Sequence, residues 1–196
     1  MSPTQFLLDR SSTNDLREPA PEGEVLRRIL EAGLRAPDHG RLLPWRYVLI
    51  RGEAREKLAD LFEAATLARD PEAPAAFIEK QRNKALRPPL LVAVGARIRP
   101  DHKIPELEQL LTVGAGAMNV LNAIHAEGFG AIWITGANGY DPLVAEALGF
   151  REPDRLLGFL FVGTPRLADR PAPRRPTVED HAAEWTGEPV RWRDAG

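Results

Sequence analysis

Val113-Gly114-Ala115-Gly116-Ala117, midway along the stretch from Pro105 to Glu127, decides the fold. A GxG pair in a doubly wound nucleotide-binding domain closes an early strand and opens a helix. Here the pair lies inside a helical run. The second pair, Gly128-Phe129-Gly130, leads into a strand, Ala131-Ile132-Trp133-Ile134-Thr135. Both fail the required context, so the chain reads as a three-layer α+β domain and not as a doubly wound one. At 1.5 Å per residue the 105–127 helix is about 33 Å long, close to the span of a whole domain. Each interior glycine costs about 1 kcal/mol relative to alanine. A close approach by another backbone, as in a tight dimer seam, or by a flat ring would offset that cost.

Working outward, Ser2-Pro3-Thr4-Gln5 reads as a capping box with proline at the first helical position, opening a short helix that stops near Asp9. Arg10 to Asp15 is loop. A second helix follows Pro21, with Val25, Leu26, Ile29, Leu30, Gly33 and Leu34 at helical spacing. Pro37 ends it, leaving Arg35 to His39 as its exit. Trp45 to Ile50 predicts a strand, 54–68 a helix and 74–85 a weaker one. Pro89 to Ala96 is nearly continuously apolar, the pattern of a strand covered on both faces. Asp141-Pro142 caps a short helix ending at Gly149, and Arg155 to Gly163 is the last strong strand. Residues 1–170 read as a single domain. Residues 171–196 form a tail rich in proline and charge, which is either disordered or wraps a partner subunit.

The composition narrows the chemistry. With 196 residues, one domain can bury roughly 70% of its unfolded surface without a metal or disulfide. The chain has no cysteine, which removes disulfides, thiolate catalysis and Cys-based metal sites. A net charge of -2 with interspersed signs argues against nucleic-acid binding. The start lacks a basic segment followed by an apolar core, and the longest uncharged run, Gln109 to Ile124, is too short to span hydrocarbon. The expectation is a soluble cytoplasmic protein with no membrane segment. The 4 histidines are scattered, which predicts no metal site.

The remaining candidates each carry two readings. Arg10 with Ser11 and Ser12, in a loop with free backbone N–H groups, suits a phosphate dianion; alternatively Arg10 caps a helix and Ser12 makes a turn. Asp38-His39 suggests a base pair, but no serine sits in a nucleophile elbow. His39 is otherwise a loop residue satisfied by a backbone carbonyl. Trp45 and Trp133 read first as core. Arg174-Arg175 reads as a solvated patch unless the tail returns to the domain. No catalytic side chain stands out.

The ordered series of Arg10-Ser11-Ser12, Arg35-Ala36-Pro37, Pro44-Trp45, the Gly/Ala-rich long helix, Gly128-Phe129-Gly130 and Gly163-Thr164-Pro165 resembles the compact bacterial branch of the nitroreductase family. The resemblance covers roughly Thr4 to Thr164. It implies an α+β nitroreductase-like fold with a mostly antiparallel central sheet and flanking helices. It further implies a homodimer with FMN at the subunit interface. Arg10, Ser11 and Ser12 would hold the flavin phosphate and ribityl chain. Trp133, Ile134 and Thr135 would run along the isoalloxazine, largely through backbone. Arg35 and His39 would reach the flavin from the partner subunit, and Arg174 or Arg175 would add a phosphate contact. Ser11 and Ile134 stand where close relatives often have arginine, and Asn14 where larger members place a lysine.

By the same resemblance the activity would be ping-pong transfer of hydride from NAD(P)H through flavin to a small aromatic electron acceptor such as a nitroaromatic or quinone. The protein would supply a positive or dipolar group at the flavin N1–C2=O edge. Two other readings stay open: a flavin-binding or regulatory protein with little turnover, and a specialised flavin reductase of the same fold.

Overall fold

The computed structural model describes residues 2–166 and 175–192. It begins with helix α1 (Pro3–Asp9), where the Ser2 hydroxyl accepts from Gln5 N at 3.1 Å, the cap expected from the sequence. A two-residue strand β1 (Leu16–Arg17) follows, then α2 (Gly23–Gly33), β2 (Trp45–Arg51), α3 (Ala54–Arg69), α4 (Ala75–Leu86) and β3 (Leu90–Ala96). The long helix is α5 (Glu106–Ala126). After it come β4 (Gly130–Ile134), a single turn α6 (Gly136–Gly139), α7 (Pro142–Ala147) and β5 (Arg155–Pro165).

The five strands form one antiparallel sheet in the order β1-β5-β3-β2, with β4 also paired to β5. Side-chain alternation along the two central strands builds the layers. Leu90, Val92 and Val94 of β3 and Leu160 and Val162 of β5 face α2 and α5, packing on Leu26, Ile29, Val113, Val120 and Ile124. Leu91, Ala93, Phe159 and Phe161 face the other way, onto Leu58, Phe62 and Ala65 of α3, Ala85 of α4 and Val144 of α7. Every residue of β3 is buried, as a strand covered on both faces should be. This is the three-layer α+β arrangement expected from the sequence.

Two local features differ from that expectation. Helix α2 stops at Gly33, four residues before Pro37. The close approach at Gly116 comes from within the chain: an added Cβ would lie 2.7 Å from the Trp45 indole and 2.9 Å from the Gly33 carbonyl. Neither a flavin nor a dimer seam is what that glycine accommodates. Trp45 is core, and its Nε1 donates to Thr112 O at 3.1 Å. Among the described residues no helix is long and apolar enough to cross a membrane.

Candidate functional site

Strand β4 is the organising element, because its far edge has no strand partner among the described residues. At its start, Thr13 N donates to Ala131 O at 3.0 Å, so the loop that follows α1 lies along that open edge. This fixes Arg10, Ser11 and Ser12 beside the beginning of β4. Arg10 is half-buried and has no carboxylate partner among the described residues. Burial, and secondarily the charge of Arg175, push the Arg10 guanidinium below its ordinary pKa. Arg175 Nη2 itself donates to the Arg10 carbonyl at 2.7 Å. Two guanidiniums therefore share one corner with the Ser11 and Ser12 hydroxyls and N–H groups, which have no partner among the described residues. Positive charges converge only at a cost, and an anion between them removes it. Arg174 lies outside the described residues.

The other end of β4 holds Trp133, Ile134 and Thr135. The Trp133 indole is committed to structure, since its Nε1 donates to Leu157 O at 2.9 Å. Thr135 O accepts from Gly139 N at 3.2 Å and Ile134 O faces β5, so the Trp133 peptide groups are what the open edge leaves for a ligand. Gly158 of β5 passes close beneath: at φ +110, an added Cβ would be 2.5 Å from Ile134 O. Only glycine satisfies both the left-handed backbone and that gap.

The structure adds two residues here that sequence reasoning missed. Gln81 and Lys84 stand on the inner face of α4, with Lys84 Nζ 4.0 Å from the Cβ position of Gly136, next to Thr135. Lys84 donates to Gln81 Oε1 at 2.7 Å. Gln81 is 4% exposed, yet its Nε2 has no partner among the described residues. Lys84 has no carboxylate partner among them either, and burial, then Lys80 and Arg69, push its pKa down. The unpaired Gln81 amide donor and the Lys84 ammonium, which lacks a carboxylate among the described residues, therefore stand beside α6 and the end of β4. The sequence signal was a glutamine one turn before Ala85 on the core face of a helix, where a polar group requires a partner.

Arg35 and His39 lie elsewhere. Arg35 is exposed. His39 Nδ1 is 2.5 Å from Glu108 Oε2, a carboxylate in place of the expected backbone carbonyl. Asp38 does not serve as its base partner: its two oxygens accept from Leu42 N at 3.1 Å and Leu43 N at 2.8 Å. Those bonds hold a loop in which Arg41 and Leu43 have φ of 53 and 51, left-handed conformations that are strained for side-chain-bearing residues. His39 thus sits at the N-terminal end of α5, whereas α1 is tied to its C-terminal end, where Phe6 stacks on His125 with centroids 4.8 Å apart. From Glu108 to His125 the helix rises about 25 Å. Within one chain, His39 and α1 therefore stand at opposite ends of α5.

Along α5, Leu107, Leu111, Ala115 and Met118 form an exposed stripe at helical spacing, the two leucines 65% and 63% exposed. Pro37, His39, Glu108, Leu111, Thr112 and Ala115 line a cleft of about 310 Å³ in this face.

This architecture is that of the nitroreductase-like α+β proteins. A nitroreductase-like family protein from Bacillus cereus superposes with a TM-score of 0.80 over 95% of this chain and 97% of that one, at 24% identity. A point mutant of a Sphigopyxis sp. strain HMH protein, described as an FMN- and NADPH-dependent nitroreductase, gives 0.74 over 95% of this chain and 100% of the other, at 19% identity. In sequence, the Escherichia coli (strain K12) protein named "Putative NAD(P)H nitroreductase YdjA" is 42% identical over 167 residues, 85% of this chain and 90% of its own length. The chain belongs to the nitroreductase family, whose model matches residues 7–164.

Proposed function

We propose that the chain is an FMN-dependent oxidoreductase that takes hydride from NAD(P)H and reduces a nitroaromatic, a quinone or a similar small acceptor. The observation that carries this reading is the line of unsatisfied donors along the open edge of β4. Arg10, Ser11, Ser12 and Arg175 stand at one end of that line, Gln81 and Lys84 at the other. The names of the relatives, which include NAD(P)H and FMN, point the same way.

The donor set fits FMN. Arg10 and Arg175, with the Ser11 and Ser12 N–H and hydroxyl groups, would hold the phosphate. The backbone from Trp133 to Thr135 would lie along the ring system. Lys84 Nζ and Gln81 Nε2 would donate to the N1–C2=O edge, Lys84 holding positive charge where negative charge accumulates on reduction. Bound FMN supplies the two-electron chemistry between nicotinamide and acceptor, in ping-pong order. The protein's own work is to bind, orient and tune.

The functional unit in this reading is a homodimer. A two-fold axis across the exposed stripe of α5 lays one helix antiparallel on the other. That exchange brings Arg35 and His39 of one copy toward the α1 end of the second, whereas within one chain about 25 Å of helix separates Glu108, the partner of His39, from His125, the partner of Phe6. Arg175, at the start of the described C-terminal segment, would stay near the phosphate.

An absorbance scan of purified protein tests the reading: flavin bands are expected, with NAD(P)H consumed when a quinone is supplied. Colourless protein that takes up no added FMN removes it. Bound flavin reduced by NADH and NADPH no faster than free flavin would leave a flavin-binding protein without turnover.

A further inference from the structure

Resting on that FMN assignment, we propose that Arg69 is a positioning residue: it sets which way the buried Gln81 amide points, and so presents Gln81 Nε2 to the flavin. Arg69 ends α3. Its Nη1 pairs with the buried Asp141 carboxylate, and its Nη2 donates to Asn138 Oδ1 at 2.9 Å and Thr66 Oγ1 at 3.4 Å. Asp141 is fixed in turn, its Oδ1 accepting from Leu143 N at 2.9 Å and Val144 N at 3.4 Å as the cap of α7.

A guanidinium has five donors and no acceptor. Asn138, 4% exposed in α6, must therefore turn its oxygen to Arg69. Its Nδ2 is left to donate to Gln81 Oε1 at 3.4 Å. The Lys84 ammonium, also donor-only, approaches the same Oε1 at 2.7 Å. With donor-only cations at both ends, the polarity of both amides is dictated. Gln81 Oε1 is held from two sides, and Nε2 is the atom turned out of the network. Flipping either amide would set N–H against N–H inside a buried cluster, which costs more than a bond lost in water.

The test compares the unsubstituted protein with Arg69→Lys, Arg69→Met and Asn138→Asp, reading dissociation constants for oxidised and anaerobically reduced FMN and the melting temperature. The carboxylate introduced by Asn138→Asp is acceptor-only. It satisfies Arg69 but draws Gln81 Nε2 inward, turning Oε1 toward the flavin edge. Preference for reduced over oxidised FMN should fall about tenfold, or ~30 mV for a two-electron couple. Arg69→Met should fall similarly, and Arg69→Lys should stay within about twofold of the unsubstituted protein, because it keeps a donor-only head. A merely structural role would lower the melting temperature and leave that ratio alone.

Folded Asn138→Asp protein with an unchanged ratio overturns the role of Arg69, as does Arg69→Lys moving as far as Arg69→Met. Should the substituted proteins not fold, side-chain amide NMR of the unsubstituted protein decides. The Gln81 Nε2 pair must shift on FMN addition, and a pair indifferent to FMN overturns the proposal. Unsubstituted protein that binds no FMN removes the flavin assignment itself; bound FMN with an unchanged ratio removes only the role of Arg69.

Discussion

Arg175 reaches back from the C-terminal segment and donates to the carbonyl of Arg10 at 2.7 Å. The contact joins residue 175 to the loop after α1 and sets a second positive charge beside a guanidinium that is already half-buried. Nothing among the described residues neutralises either charge. Arg175 thus caps the end of α1, whereas the Arg10 guanidinium itself has neither a carbonyl nor a carboxylate partner among the described residues. In the proposed reading the corner would take the phosphate of FMN.

That arrangement predicts a difference between FMN and riboflavin, which share everything but the phosphate. Arg10→Met should weaken FMN binding by about 10- to 100-fold, as expected for losing one charge-assisted bond of about 1.5–3 kcal/mol. It should leave riboflavin affinity unchanged. Arg175→Met should do the same more weakly, and both losses should shrink as salt rises. Equal losses for the two flavins would mean that the corner shapes the pocket without holding the phosphate.

Gly116 makes a prediction about stability alone. Its missing side chain admits the Trp45 indole and the Gly33 carbonyl, the contact that seats α2 and β2 against α5. Gly116→Ala gains helix propensity but overpacks a rigid ring and a backbone oxygen, which should cost about 1–3 kcal/mol net. For a domain of this size, each kcal/mol should appear as roughly 2–4 °C in melting temperature. A melting temperature equal to or above that of the unsubstituted protein would show that Trp45 yields easily.

The layers were legible because their signals are local. Val92, Val94 and their neighbours form an apolar run that only a doubly covered strand uses, and the apolar residues of 105–127 recur at helical spacing over about six turns. Strand β1 was not legible. Leu16 and Arg17 pair with Pro165 and Thr164, so tertiary structure defines that strand. Asn138 stands between glycines that read as a turn, and only Arg69, which joins it to Asp141, reveals a buried polar cluster. Arg10 could be suspected from its loop. Lys84 could not, since which face of α4 turns inward depends on α3 and β4.

Lys84 carries a pH prediction. Burial first, then Lys80 and Arg69, lower its pKa in the folded protein. A lowered base binds fewer protons folded than unfolded, so it penalises the folded state wherever it is forced to stay charged. Without flavin, stability should rise with pH through the window from the lowered pKa up to the ordinary lysine value. Lys84→Met should abolish that rise and raise the apo melting temperature at neutral pH. The same substitution should weaken reduced FMN more than oxidised FMN. Thermal melts across pH on apo protein, paired with flavin titrations, check both signs; a Lys84→Met protein that melts lower would show that the ammonium supports the fold.

In the proposed dimer the α5 stripe would tie assembly to the cofactor. Leu111 is 63% exposed beside the cleft that includes His39. An exposed apolar stripe of that kind suits the proposed contact between two copies. Leu111→Glu puts a charge where two copies of the helix would cross. Sedimentation should show monomer, and bound FMN should be lost with the dimer, because Arg35 and His39 of the second copy no longer close the site. His39→Ala, by contrast, should keep the dimer and weaken FMN by less than about tenfold, since a single imidazole hydrogen bond contributes about 1 kcal/mol net. Monomeric Leu111→Glu protein that retains FMN at unchanged affinity would place the whole flavin site within one chain.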